Sequence, residues 1–240
     1  MTRVMHQHHA SAANREYYER SENRRSYRPD GGLDAAESAL VERFLPPGGT
    51  VLDLGCGNGR VALALVAREF HAEGLDISPS MIDEARAAAA AAGVDARFRV
   101  GDAVELPHDD NELDAVVFAC NGIGHLTRDG KVACLIELQR VLRPGGVALL
   151  SLRTPYALNR MLPRLLRNVV LPRKGLRPDE EAEDDQYVQR PSLSWFVRQC
   201  REARLDPVCV CSHRQASRGD FPGRTLPVGG QFYVVALATT

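Results

Sequence analysis

From residue 50 onward, short continuous apolar runs alternate with segments whose apolar positions recur every three to four residues. The first run, Val51 to Leu54, is followed at once by the helical pattern VALALVAREF (61–70). Further runs end at GLDIS (74–78), RFRV (97–100), LDAVVF (113–118) and VALLSL (147–152). Between them, SPSMIDEARAAAAAAG (78–93) predicts a helix capped by Ser78 or Ser80 and stopped by Gly93, and LIELQRVL (135–142) predicts another. Runs without polar alternation read as strands buried on both faces, and strands alternating with helices read as an α/β fold with a parallel sheet. Upstream, LDAAESALVERFL (33–45) places apolar residues on one helical face before Pro46, Pro47, Gly48 and Gly49 end it. Downstream, PSLSWFVRQCREAR (191–204) predicts a crossover helix, with Trp195 in its core pattern. LDPVCVCSHR and GGQFYVVALAT then form two closing strands around a long hairpin, 214–230.

The junction of the first strand and helix, VLDLGCGNGR (51–60), carries the first chemistry. Gly55, Gly57 and Gly59 form a turn that bends sharply and lets a ligand touch backbone where a Cβ would collide. Strand, glycine turn and helix open a nucleotide-binding βαβ unit. Asp53, two residues before the turn, would repel a pyrophosphate and favour a ligand carrying a cationic group.

Asp76 ends the second strand about twenty residues beyond the turn, where such folds place an acid on a ribose diol. An NAD site has the same acid, so this residue marks a nucleoside without naming it. Gly101-Asp102-Ala103 follows the third strand, ACNGIGHL (119–126) the fourth, and RVLRPGG precedes the fifth. Together with DLGCGNG, these segments resemble the ordered motifs of the class I S-adenosylmethionine-dependent methyltransferases. The resemblance covers residues 50–152. It implies a Rossmann-like, seven-stranded, mostly parallel sheet of order 3-2-1-4-5-7-6, with the last strand antiparallel and helices on both faces.

The same resemblance implies S-adenosylmethionine as cofactor. Asp53, Gly55, Cys56, Gly57 and Gly59 then hold its amino-acid end, and Asp76 its ribose. Ile77 and Met81 flank the adenine, Asp102 and Ala103 meet its edge, and Ala119, Cys120 and Asn121 line the methionine portion. An isolated acid such as Asp102 also fits a helix cap. Three acids in register with the turn favour the binding reading.

Methyl transfer from a sulfonium is an in-line displacement with a neutral leaving group, so alignment and water exclusion do much of the work. A base is needed only for a protonated acceptor. Candidates are Asn121, His125 and Tyr18, with Tyr17 and Tyr27 also placed to close over the site and Tyr156 and His213 weaker. Set against the role of base, His125 also suits packing or capping of the next helix. The stretch lacks the Asn-Pro-Pro-Tyr type of sequence used on nucleobase or glutamine nitrogens, which favours a small-molecule acceptor. A peptide or protein amine is the alternative acceptor, and an NAD-dependent oxidoreductase or a non-catalytic module with a degenerate pocket the alternatives of another class.

Residues 1–32 read as a flexible polar tail and lid, and 33–240 as one domain with a lid-like insertion at about 153–190. Within the insertion, Leu158 to Val170 could form one helix face, over the active site or on a membrane surface, before the acidic run PDEEAEDD (178–185). His6, His8 and His9 lie in the tail and are not taken as a metal site. A net charge of −1 gives no basic field for nucleic acid. The six cysteines show no paired spacing and read as buried thiols. With no apolar run of spanning length and no signal-peptide pattern, the expected location is the cytoplasm.

Overall fold

In the computed structural model, the described residues are 2–24, 31–154, 180–183, 186–221 and 231–239. The N-terminal part comprises α1 (Thr2–Glu19), a short α2 (Ser21–Arg24) and α3 (Ala35–Phe44). The core then runs β1 (Thr50–Leu54), α4 (Arg60–Val66), β2 (His71–Asp76), α5 (Pro79–Ala92), β3 (Arg97–Val100) and β4 (Leu113–Phe118). It continues through a 3-10 turn (Gly122–His125), α6 (Arg128–Val141) and β5 (Leu142–Arg153). A hairpin of β6 (Glu180–Glu183) and β7 (Gln186–Gln189) precedes α7 (Leu193–Glu202), β8 (Leu205–Ser212), α8 (His213–Ala216) and β9 (Gln231–Ala238).

Seven strands form one sheet in the order β3-β2-β1-β4-β5-β9-β8. Numbered within the sheet alone, this is 3-2-1-4-5-7-6, the order the sequence predicts. Strands β1 to β5 pair in parallel, while β9 runs antiparallel to β5 and β8. The strand order reverses between β1 and β4, and the crevice outside their carboxyl ends is where open α/β sheets bind ligands.

Side-chain alternation along the strands divides the core. Leu52, Leu54, Val116, Phe118, Ala148 and Leu150 face one way, against Leu135 and Leu138 of α6 and Phe196 of α7. Val51, Ala115, Val117, Val147 and Leu149 face the other, against Leu40 and Val41 of α3 and Leu65 of α4. Phe98, the buried residue of edge strand β3, packs with Ala62, Ile82 and Ala85. Gly74 in β2 makes room for it, because a Cβ there would stand 2.6 Å from the Phe98 ring.

Two sequence expectations change here. The aperiodic N-terminal tail is helical over Thr2–Glu19, with Gln7, Ala10 and Asn14 buried. Its inward face is mostly polar, so a search for apolar periodicity passes over it. The insertion contributes β6 and β7, and β7 lies against α1 and the 3-10 turn. The expected lid helix at Leu158–Val170, Tyr27 and Tyr156 fall outside the described residues.

Candidate active site

A cavity of about 780 Å³, its mouth included, opens at the carboxyl ends of β1, β2 and β4 under α1. Its wall includes Gly55 and Gly57 from the glycine turn, then Asp76, Ile77 and Met81, then Asp102 and Ala103. Ala119 and Cys120 follow β4, His125 and Leu126 close the 3-10 turn, and Tyr18 comes from α1. Eleven of the sequence-predicted positions thus meet at one surface.

The glycine turn is shaped for close approach. Gly57 has φ +53, and an added Cβ would find no atom nearer than Met81 Sδ at 4.0 Å. Since Gly57 and Met81 both line the cavity, that Cβ would project into it. Its N–H donates to Asp76 Oδ2 at 2.8 Å, and Ser78 N donates to Asp76 Oδ1 at 2.9 Å. Burial pushes the Asp76 carboxyl up, against these backbone hydrogen bonds. Ser78 caps α5 and accepts from Met81 N, so one turn fixes both the acid and the methionine beside it.

Four predicted contacts lie outside the cavity wall. Asp53 shares strand parity with Val51 and points toward α3 and α4, where it accepts a hydrogen bond from Ala62 N at 2.9 Å. It is 1% exposed, and burial pushes its carboxyl up to about 8. Behind the turn and off the cavity wall, Asp53 does not present a charge to a ligand. Asp53 anchors the start of α4 instead. Cys56 is buried beside Phe98 and Ile82, where burial raises its thiol well above the ordinary range. Gly59, at φ +87, begins α4, with Phe98 and Ala85 where a side chain would go. Asn121 turns its amide away: Arg153 N donates to Asn121 Oδ1 at 2.7 Å, and Asn121 N donates to Ser151 Oγ at 3.1 Å. It locks the end of β4 to β5 and does not reach the acceptor space.

Cys120 and Asn121 are consecutive non-glycine residues in the left-handed region, at φ +51 and +63. Asparagine tolerates this conformation, whereas cysteine loses about 1–2 kcal/mol in it. The bend points His125 and Ala119 at the same space, and strain of this kind concentrates at functional sites.

Sequence reasoning missed the ties that close the cavity. From α1, Asn14 Nδ2 donates to the His125 carbonyl at 2.8 Å, and Ser11 Oγ donates to Asp102 Oδ2 at 3.1 Å. The Tyr18 ring stands edge-on to His125, centroids 6.2 Å apart. Glu19 accepts from Ser78 Oγ at 2.7 Å. Gln7, Ser11, Asn14 and Tyr18 are spaced four, three and four apart, a helical stripe that could have been read as a polar inner face. Arg60 was also passed over. It binds Glu37 through both terminal nitrogens, at 2.7 and 2.8 Å, and approaches Cys120 Sγ at 3.1 Å. Buried Lys131 bonds the carbonyls of Gly124 and Leu126 on either side of His125.

The wall fits S-adenosylmethionine on two counts. Gly57 leaves a cradle that a Cβ would fill, and among the described residues the ionisable side chains lining it are Asp76, Asp102, Tyr18, His125 and Cys120, with no Lys or Arg. Carboxylates accept from ribose hydroxyls and an amino group. Among the described lining residues a pyrophosphate would meet the acids without a cation. Among the described residues, no cluster of three or more potential metal ligands occurs.

Comparison with known proteins agrees. Residues 51–146 match the family model described as a methyltransferase domain. It is 39% identical over 123 residues to a ubiquinone/menaquinone biosynthesis C-methyltransferase of Desulfotalea psychrophila, covering 49% of this chain and 47% of that one. It is 36% identical over 122 residues to the 27-O-demethylrifamycin SV methyltransferase of Amycolatopsis mediterranei, covering 48% and 44%. The chain spans about half the length of the curated relatives it matches. The solved structure of a SAM-dependent methyltransferase from Methanosarcina mazei shares the fold, with a TM-score of 0.64 at 19% identity over 83% of this chain and 97% of that one.

Proposed function

We propose that this chain transfers a methyl group from S-adenosylmethionine to a small-molecule acceptor. The observation that carries the proposal is the composition of one cavity: a glycine turn, Asp76 and Asp102 on its wall together with His125 and Tyr18, and, among the described residues, no Lys or Arg. The relatives named for a quinone pathway and a rifamycin support a small acceptor.

When bound, S-adenosylmethionine supplies a methyl group activated by its sulfonium charge. The chain's own residues bind, orient and enclose. Asp76 accepts from ribose hydroxyls, Asp102 takes the base edge, and Gly55 and Gly57 admit the ligand against backbone. Tyr18 and Asn14 cover the space from α1, excluding water. His125, held through its carbonyl by Asn14, is the group that takes the proton from a protonated acceptor. Asn121, facing β5, serves as a positioning residue.

Incubation with S-adenosylmethionine labelled in its methyl group tests the acceptor class. Label is expected on members of a panel of hydroxylated aromatic small molecules. Label found only on a peptide amine would overturn the small-molecule assignment.

A further inference from the structure

A polar relay runs from α6 through α1 to the base edge of the cavity. Thr127 N donates to Gln7 Oε1 at 3.0 Å, and Thr127 Oγ1 donates to the same oxygen at 2.7 Å while accepting from Gly130 N at 3.0 Å. A backbone N–H can only donate, so the Gln7 oxygen faces Thr127 and its amide nitrogen faces Ser11. Gln7 Nε2 then donates to Ser11 Oγ at 3.1 Å, which commits the one Ser11 hydrogen to Asp102 Oδ2 at 3.1 Å.

The polarity of the whole chain follows. Ser11 and Asp102 both line the cavity. A hydroxyl oxygen has two lone pairs, and Gln7 uses one of Ser11's. A carboxylate offers about four acceptor sites, of which Ser11 takes one and Val104 N, at 3.2 Å, another. Two neighbouring oxygens therefore keep accepting capacity, and neither has a hydrogen to spare.

We propose that Ser11 is a specificity-determining residue: its oxygen and the Asp102 carboxylate together accept the two hydrogens of an exocyclic amino group, selecting 6-amino over 6-oxo purines. This rests on the cofactor reading above. A 6-oxo group would set its lone pairs against two acceptors, leaving buried polar atoms unpaired. Asp102 supplies an accepting group from the domain core, and α1 supplies the neighbouring one. The N-terminal helix thus takes part in reading the base as well as covering it.

Calorimetric titration of the full chain with S-adenosylhomocysteine and S-inosylhomocysteine tests this. The unaltered chain is expected to prefer the adenosyl ligand by about a hundredfold or more. Ser11→Ala is expected to cut that preference about tenfold, and Ser11→Thr, which keeps the hydroxyl, to restore it. Alanine favours the helix, and a purely structural loss would weaken both ligands equally and leave the ratio unchanged. An unchanged ratio in Ser11→Ala, with the adenosyl ligand still bound, overturns the role of Ser11 alone. Failure of the unaltered chain to bind either ligand overturns the cofactor reading and this inference with it.

Discussion

Arg60 and Glu37 form a two-pronged ion pair that joins the glycine turn to the helix preceding the sheet. Arg60 is the first residue of α4, immediately after Gly59, and Glu37 lies in the first turn of α3. The Glu37 side chain is 5% exposed and that of Arg60 22%. Its Oε2 also accepts from Asp34 N in the capping box at 2.9 Å, and Arg60 donates to the Gly32 carbonyl. Gly32 and Glu37, from one stretch of chain, thus converge on a single guanidinium, and the hydrogen bonds to Glu37 hold its protonated form further in favour.

Removing one partner of such a pair strands the other. Glu37→Gln is expected to destabilise the fold by about 2–4 kcal/mol, toward the lower end of buried-pair losses because Arg60 keeps some solvent. In a chain of this size that corresponds to a fall in Tm of roughly 5–15 °C, read by calorimetry or circular dichroism.

Asp53 gives the chain a pH-dependent penalty. Its folded pKa of about 8 lies above the ordinary carboxylate value because burial disfavours the charge. Above about pH 4 the unfolded chain has released this proton while the folded chain keeps it. Stability is therefore lost as pH rises from about 4 to about 8, by several kcal/mol from this group. Asp53→Asn keeps an acceptor for Ala62 N and removes the titration. Its Tm is expected to fall less than that of the unaltered chain between pH 5 and pH 8, and equal slopes would contradict the assignment.

Two glycines separate binding from packing. Gly57→Ala puts a methyl into the cavity and is expected to weaken S-adenosylhomocysteine at least about thirtyfold, with about 1–2 kcal/mol of backbone strain. Gly74→Ala instead drives a methyl against Phe98 and Cys56, at 2.6 and 2.8 Å. It is expected to cost about 1–3 kcal/mol of stability with ligand affinity changed less than threefold in the folded fraction. Parallel titration and melting of both variants check the contrast.

His125→Ala is expected to lower the rate of methyl transfer to a protonated acceptor by about 10²–10⁴-fold, the usual range for a positioned acid–base group. Affinity for S-adenosylhomocysteine is expected to stay within about threefold. An acceptor deprotonated at working pH is expected to be insensitive to the substitution. Single-turnover rates with the two acceptor types measure this directly.

The sheet was legible because buried parallel strands leave uninterrupted apolar runs, and Val51–Leu54 or Val147–Leu152 admit few other readings. Positions outside the strands were harder. Asp53 was placed at the ligand from its closeness in sequence to Gly55, although strand parity already grouped it with Val51 on the far face. Asn121 was assigned to the acceptor from its chemistry, before the left-handed turn at Cys120 and Asn121 showed where its amide points. Such a turn of two non-glycine residues has no sequence signature. Helix α1 escaped notice because its inward stripe is Gln7, Ser11, Asn14 and Tyr18: it docks largely by hydrogen bonds, and hydrophobic patterning cannot see those. Arg60 and Glu37 lie 23 residues apart and meet only once the sheet has formed.

On the proposed function, Asp76 and Asp102 read a nucleoside carrying a methyl donor and not a dinucleotide. Calorimetric titration of the chain and of Asp76→Ala with S-adenosylhomocysteine and NADH measures it most directly. The unaltered chain is expected to bind S-adenosylhomocysteine, weakened at least about thirtyfold in Asp76→Ala, and to give no heat with NADH. Binding of NADH in preference to S-adenosylhomocysteine, or an affinity for S-adenosylhomocysteine indifferent to Asp76, would contradict it.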